Sequence, residues 1–148
     1  MNIKAVIFDI DGTFYPNWRM HLMTMPVVLR NLKLFSAFAN VRKELRKKPD
    51  MSVDNFYEVQ AELTAKKLGL PVDDVMKKIE SDIYMEWTAS LKRVKPYKHV
   101  REVVQELHKR GYKTACLSDF PILEKLTYFN LNDLFEGSAF SCEDCGHL

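Results

Sequence analysis

The chain has 148 residues, 47% of them hydrophobic and 28% charged, with a formal net charge of +2. That balance suits one globular domain, or a core carrying an insertion. It excludes a strongly basic nucleic-acid-binding domain, and no apolar run approaches the roughly 20 residues that span a bilayer. The opening MNIKAVIFD runs directly into a strand-like segment and lacks a signal peptide's layout, so the cytoplasm is the expected location. Cys116, Cys142 and Cys145 do not suggest a disulfide framework.

Ile3 to Phe8 is short, β-branched and apolar apart from Lys4, the pattern of a strand buried on both faces of a parallel sheet. Residues 17–48 read as one helix, with Leu34, Phe38, Val41 and Leu45 forming an apolar stripe. Pro26 sits near its start or kinks it, and Pro49-Asp50 ends it. A second helix is predicted from about Val53, with Ser52 as a cap, and closes at Leu68-Gly69. A third begins near Pro71 or Val72, with Val75, Ile79, Ile83 and Trp87 spaced by four. After Pro96 the rhythm changes. His99 to Arg110 is predicted helical, with Val100, Val103, Val104 and Leu107 facing inward and Gly111 as its stop. Lys113 to Leu117 reads as a strand ending in Ser118-Asp119, Pro121 to Phe129 as a helix, and Ser138 to Cys142 as a third strand. The alternation in this second half predicts a parallel sheet with crossover helices. Residues 15–95 read as a helical insertion.

Open parallel sheets bind ligands at the carboxyl ends of their strands. Asp9, Asp11 and Ser118 all lie at such ends, so they are predicted to converge although over a hundred residues separate them. Their chemistry suits phosphoryl transfer. A carboxylate such as Asp9 can attack phosphorus, and a second carboxyl two positions on can protonate the leaving oxygen and then deprotonate water. Two close carboxylates repel each other, and Mg²⁺, which prefers oxygen ligands, offsets that repulsion. Gly12 permits a tight turn that aims N–H groups at phosphoryl oxygens, and Thr13 or Ser118 adds hydroxyl donors. The bland reading of Asp9 and Asp11 is a solvated turn after a strand.

The run Asp9-Ile10-Asp11-Gly12-Thr13 after a hydrophobic strand, together with Ala115-Cys116-Leu117-Ser118 closing a second strand, resembles the haloacid dehalogenase superfamily of phosphatases. The match covers about 1–16 and 96–148. The resemblance implies an α/β, Rossmann-like parallel sheet core, built from 1–14 and 96–148, with an inserted α-helical cap at 15–95. It makes Asp9 the nucleophile and Asp11 the general acid/base. The Asp9 carboxylate and the Asp11 backbone carbonyl are the expected Mg²⁺ ligands. Gly12, Thr13 and Ser118 are the expected phosphate-binding residues. Dehalogenases of the family lack the second acid, so Asp11 points to hydrolysis of a phosphate monoester, with a small phosphorylated metabolite as the partner.

The resemblance also implies a lysine and an acidic pair C-terminal to Ser118, and later strands beside the first. The sequence reaches Leu148 before the positions where these are usual. The expectation is therefore a core incomplete at its C-terminus, a bare edge on the first strand open to association, and little activity from this chain alone. The alternative is a non-catalytic phosphate-binding or regulatory module. Lys92, Lys95 and Lys98 read as solvated surface rather than as a substitute lysine. Cys142-x-x-Cys145 followed by His147 invites a metal or redox reading, against the plainer one of a strand end and its turn. The basic stretch from Arg30 to Lys48 reads as the wet face of a helix, or as a surface steering an anion. Phe14, Tyr15 and Trp18 are read as core or hinge packing, with pocket lining as the other reading.

Overall fold

The computed structural model describes residues 3–47 and 55–146. Three parallel strands form one sheet in the order β1 (Ala5–Asp9), β2 (Lys113–Ser118), β3 (Ala139–Ser141). The register runs from Ala5 opposite Lys113 to Asp9 opposite Leu117, and from Cys116 opposite Ala139 to Ser118 opposite Ser141. All three strands therefore end level with one another at the same edge. This is the α/β architecture with a Rossmann-like parallel sheet that the residue pattern predicted.

Between β1 and β2 the chain is helical: α1 (Asn17–Arg30), α2 (Leu32–Leu45), α3 (Phe56–Leu68), α4 (Val72–Lys78), α5 (Glu86–Leu91) and α6 (Val100–Lys109). The single helix expected over 17–48 is two, bent by 117° at Asn31, whose φ of −126° is not helical. Pro26 lies inside α1, so the break falls five residues beyond the proline. No single described helix is long and apolar enough to cross a membrane. Ser52, Val53 and Pro49-Asp50 lie outside the described residues.

α4 and α5 are joined by a π-helical stretch, Ile79–Met85. Its cause is the strict four-residue spacing of Val75, Ile79, Ile83 and Trp87. On a helix of 3.6 residues per turn three such steps drift by about 120°. A wider turn keeps Val75, Ile79 and Ile83 buried together, packed on Leu34, Phe38 and Ala61. A second cluster, including Ile10, Phe14, Met20, Val104 and Leu126, joins the sheet to α6 and α7 (Leu123–Phe129).

Two burial expectations fail. β1 is buried on neither face completely: Phe8 packs into the core, while Ile7 is 62% exposed. Among the described residues the strand pairs only with β2, and helices cover only the Phe8 side of the sheet, so Ile7, Leu117 and Phe140 on the other side are open. Val103 is likewise exposed, and of its helix only Val104 is fully inside. β3 stops at Ser141, and Cys142 already belongs to a one-turn helix, α8 (Cys142–Cys145).

Candidate active site

β1 delivers Asp9 to the carboxyl edge, and the chain turns at once. Ile10 N–H donates to Leu117 O at 3.3 Å, and Ile10 O accepts from Thr13 and Phe14 N–H at 3.2 and 3.0 Å. This turn requires Gly12. Its φ is +95°, and a Cβ there would lie 2.5 Å from the Asn17 side-chain nitrogen.

Asp11, two residues on, meets the end of β2. Its Oδ2 accepts from Ser118 Oγ at 3.0 Å and from Lys125 Nζ at 2.5 Å, and its Oδ1 accepts from the Tyr15 hydroxyl. Ser118 Oγ in turn accepts from Lys125 Nζ at 2.7 Å and from Phe120 N–H at 3.2 Å. Lys125, from α7, is 1% exposed. Burial pushes its pKa down, and the nearby Asp11 carboxylate opposes that.

Asp9 has the opposite surroundings. Among the described residues no cationic side chain lies within 4.0 Å of its carboxylate. Burial, then the charges of Asp11 and Asp119, raise its pKa, while the Asp11 and Ile10 N–H groups lower it in part. Asp9 opens onto a cavity of about 260 Å³ walled by Ser118, Asp119, Phe140, Cys142 and Cys145. Of the strand-end residues expected to meet, Asp9 and Ser118 line one cavity and Asp11 bonds Ser118, while Gly12 forms the turn between β1 and α1 beside Asn17. Thr13 lies apart: the residue is exposed and borders a different hollow, with Phe8, Phe14, Lys98 and His99.

The loop after β2 is held from the helical insertion. Arg42 of α2 donates to Gln60 Oε1 at 2.8 Å and to the Asp119 carbonyl, and its guanidinium lies over the Phe38 and Phe120 rings at 5.4 and 4.8 Å. Arg46 pairs with the Asp119 carboxylate. Cys142 Sγ–H donates to the Asp119 carbonyl at 2.9 Å. So Arg42, 5% exposed, is not part of a wet face. Trp18 is exposed, while Phe14 and Tyr15 are core.

Sequence reasoning missed Lys125 and gave Tyr15 no polar role. The signal for Lys125 was available: a lysine set among Ile122, Leu126 and Phe129, all buried, on an otherwise apolar helix face. Lys92 and Lys98 lie elsewhere, over Tyr128 and beside Thr13.

A family model described as haloacid dehalogenase-like hydrolase matches residues 3–146. The chain belongs to this family. No curated protein matches the sequence. Among solved structures, an L-2-haloacid dehalogenase is similar over 100% of this chain and 67% of its own, at 13% identity and a TM-score of 0.56. A 2-haloacid dehalogenase from Pseudomonas syringae pv. tomato DC3000 matches over 99% and 66%, at 15% and 0.56. A predicted phosphoglycolate phosphatase from Haemophilus somnus 129PT matches over 96% and 64%, at 18% and 0.50. The chain spans about two thirds of the length of these neighbours. At such identities they share its fold.

Asp9 stands at the end of β1, on the carboxyl edge of the sheet. Among the described residues no group of three His, Cys, Asp or Glu side chains could hold a metal ion. A zinc reading of Cys142 and Cys145 therefore has no ligand set here, and His147 lies outside the described residues. A hard cation needs less from the protein. Asp9 lies near the Asp11 and Asp119 carboxylates and, among the described residues, has no cationic side chain within 4.0 Å, an oxygen-rich setting of the kind Mg²⁺ prefers.

Proposed function

We propose that this chain carries the phosphoryl-transfer site of a phosphate monoester hydrolase that works through an aspartyl-phosphate on Asp9. One observation carries the reading. A carboxylate with no cationic side chain within 4.0 Å among the described residues stands at the strand edge, opening onto the same cavity as Ser118, and a buried lysine bonds that serine and the second acid.

In this reading Asp9 attacks phosphorus, and the bond from phosphorus to the ester oxygen breaks. Asp11 takes up a proton from solvent once it leaves Lys125, and gives it to that leaving oxygen. It then takes a proton from the water that attacks the acyl phosphate, releasing phosphate and restoring Asp9. Ser118 Oγ–H and Lys125 Nζ, already 2.7 Å apart, hold phosphoryl oxygens and stabilise the charge that builds on them. Asp9 and the Asp11 main-chain carbonyl would hold Mg²⁺, which would offset the negative charge of the carboxylate and the phosphate. The helices at 15–95 act as a cap that selects a small phosphorylated metabolite, in the cytoplasm. Displacement of a halide by Asp9 is the competing reading, since haloacid dehalogenases are among the similar structures. Asp11 favours phosphate esters, because the second acid has no task in halide displacement.

The test is turnover of an aryl phosphate and of a 2-haloacid by the chain, with and without Mg²⁺. We expect slow, Mg²⁺-dependent release of phosphate and no release of halide, with at least a ~100-fold loss in Asp9→Asn, the scale expected when a nucleophile is removed. Turnover retained in Asp9→Asn removes the nucleophile assignment. Phosphate binding without turnover favours the non-catalytic module.

A further inference from the structure

The two groups read above as phosphate donors are not waiting for phosphate. Ser118 Oγ–H and Lys125 Nζ both point to one oxygen of Asp11, at 3.0 and 2.5 Å. A carboxylate oxygen stands where a phosphoryl oxygen would be received. The other Asp11 oxygen is taken by the Tyr15 hydroxyl. The Asp11 side chain is thereby fixed at both oxygens.

Tyr15 is well placed to impose this arrangement. It is 0% exposed, its ring lies 5.5 Å from that of Phe129 on α7, and it falls in the connection from β1 to α1. The two crossings between sheet and helical insertion are tied beside it, where Tyr97 N–H donates to Phe14 O at 2.8 Å. The hydroxyl therefore has little freedom to leave Asp11 unless this connection moves.

We propose that Tyr15 is a positioning residue that holds Asp11 across Ser118 and Lys125, so that phosphate must displace the Asp11 carboxylate in order to bind. The inference rests on the reading of Asp11, Ser118 and Lys125 given above. Phosphate then binds only to the fraction of molecules in which Asp11 has swung away, and its apparent affinity falls by that fraction. The same swing frees Asp11 to reach the leaving oxygen, so one motion unmasks the donors and releases the acid.

The test is calorimetric titration of inorganic phosphate, with Mg²⁺ present, into the wild-type chain and Tyr15→Phe. Phenylalanine keeps the packing on Phe129 and removes only the hydroxyl. We expect Tyr15→Phe to bind phosphate about five-fold more tightly, as the unmasked fraction rises. A merely structural role for Tyr15 would leave affinity unchanged or weaken it, and either result in a folded variant overturns the inference. Should Tyr15→Phe fail to fold, Asp11→Asn decides: tighter binding supports the masking, and equal or weaker binding overturns it. The turnover assay separates this inference from the functional reading. Tighter phosphate binding in Tyr15→Phe with no ester hydrolysis by the wild type supports the masking and overturns the hydrolase. Hydrolysis lost in Asp9→Asn, with phosphate affinity unmoved by Tyr15→Phe, does the reverse. No phosphate binding by any of the three overturns both.

Discussion

A lysine ammonium with 1% exposure gives up its hydration, and only anions and acceptors placed around it make that tolerable. Lys125 has two, Asp11 Oδ2 and Ser118 Oγ. Lys125→Met keeps most of the length of the side chain and removes the charge, leaving the Asp11 carboxylate with hydroxyl donors only. Breaking one side of a buried pair costs about 3 kcal/mol, a loss that urea denaturation of the variant will read, together with loss of phosphate binding. Asp9 predicts the opposite sign. Its folded pKa is raised above the ordinary 3.8 by burial and by Asp11 and Asp119. Below that ordinary value the group is protonated in both folded and unfolded chains and costs nothing. As pH rises through the raised folded value the ionised form destabilises the fold. Asp9→Asn is therefore expected to melt higher than the wild type at pH 7 and equal to it near pH 3, and Mg²⁺ is expected to raise the melting temperature of the wild type alone. The sequence showed where Asp9, Asp11 and Ser118 would meet, because strand ends in a parallel sheet share an edge. Its spacing also put Lys125 on the buried face with Ile122, Leu126 and Phe129, but did not say that this face meets Asp11 and Ser118.

Element by element, the apolar periodicity located every strand and most helices, and failed where a second element decided the outcome. The helix break at Asn31 is one case. Leu34 to Leu45 pack against α3 and α4, whereas α1 buries Met20 in the sheet cluster, and one straight helix cannot serve both. The π-helical stretch is a case where the signal was present, in the four-residue spacing from Val75 to Trp87, and needed only helix geometry to interpret. β1 is the third. Its apolar run gave the strand correctly, but burial on both faces requires covering elements, which among the described residues exist on one face only. Because the strand alternates, the main-chain groups of Ala5, Ile7 and Asp9 point away from β2, along an edge lined by exposed Ile7. Such an edge templates association. Sedimentation velocity is expected to show concentration-dependent self-association of the wild type, reduced in Ile7→Lys. Ile7 is mostly exposed, so the substitution should change folding stability by no more than about 0.5 kcal/mol.

At the scale of the whole molecule, Arg42 connects parts that hydrophobic contact alone leaves separate. Its guanidinium reaches Gln60 on α3, the Asp119 carbonyl after β2 and, at 3.7 Å, the Cys142 sulfur on α8, and lies over the Phe38 and Phe120 rings. These contacts span the helical cluster of Leu34 and Ile79 and the small cluster of Val41, Phe56 and Cys142. Arg42→Ala would leave Gln60 Oε1 without its arginine donor, remove one donor from the Asp119 carbonyl, and open a void between two rings. Each unsatisfied buried group costs about 1–3 kcal/mol, so a total loss of about 3 kcal/mol is expected in urea denaturation. Arg46→Ala, which removes an exposed pair with Asp119, should cost under about 1 kcal/mol. The slope of the transition carries the further information. If Arg42 is what makes the helical insertion and the sheet unfold together, Arg42→Ala will lower the slope or split the transition in two, because each unit then exposes only its own surface. A single transition of unchanged slope, shifted to lower urea, would instead place the coupling in the Trp87–Phe120 stack, whose rings lie 4.9 Å apart between α5 and the loop after β2.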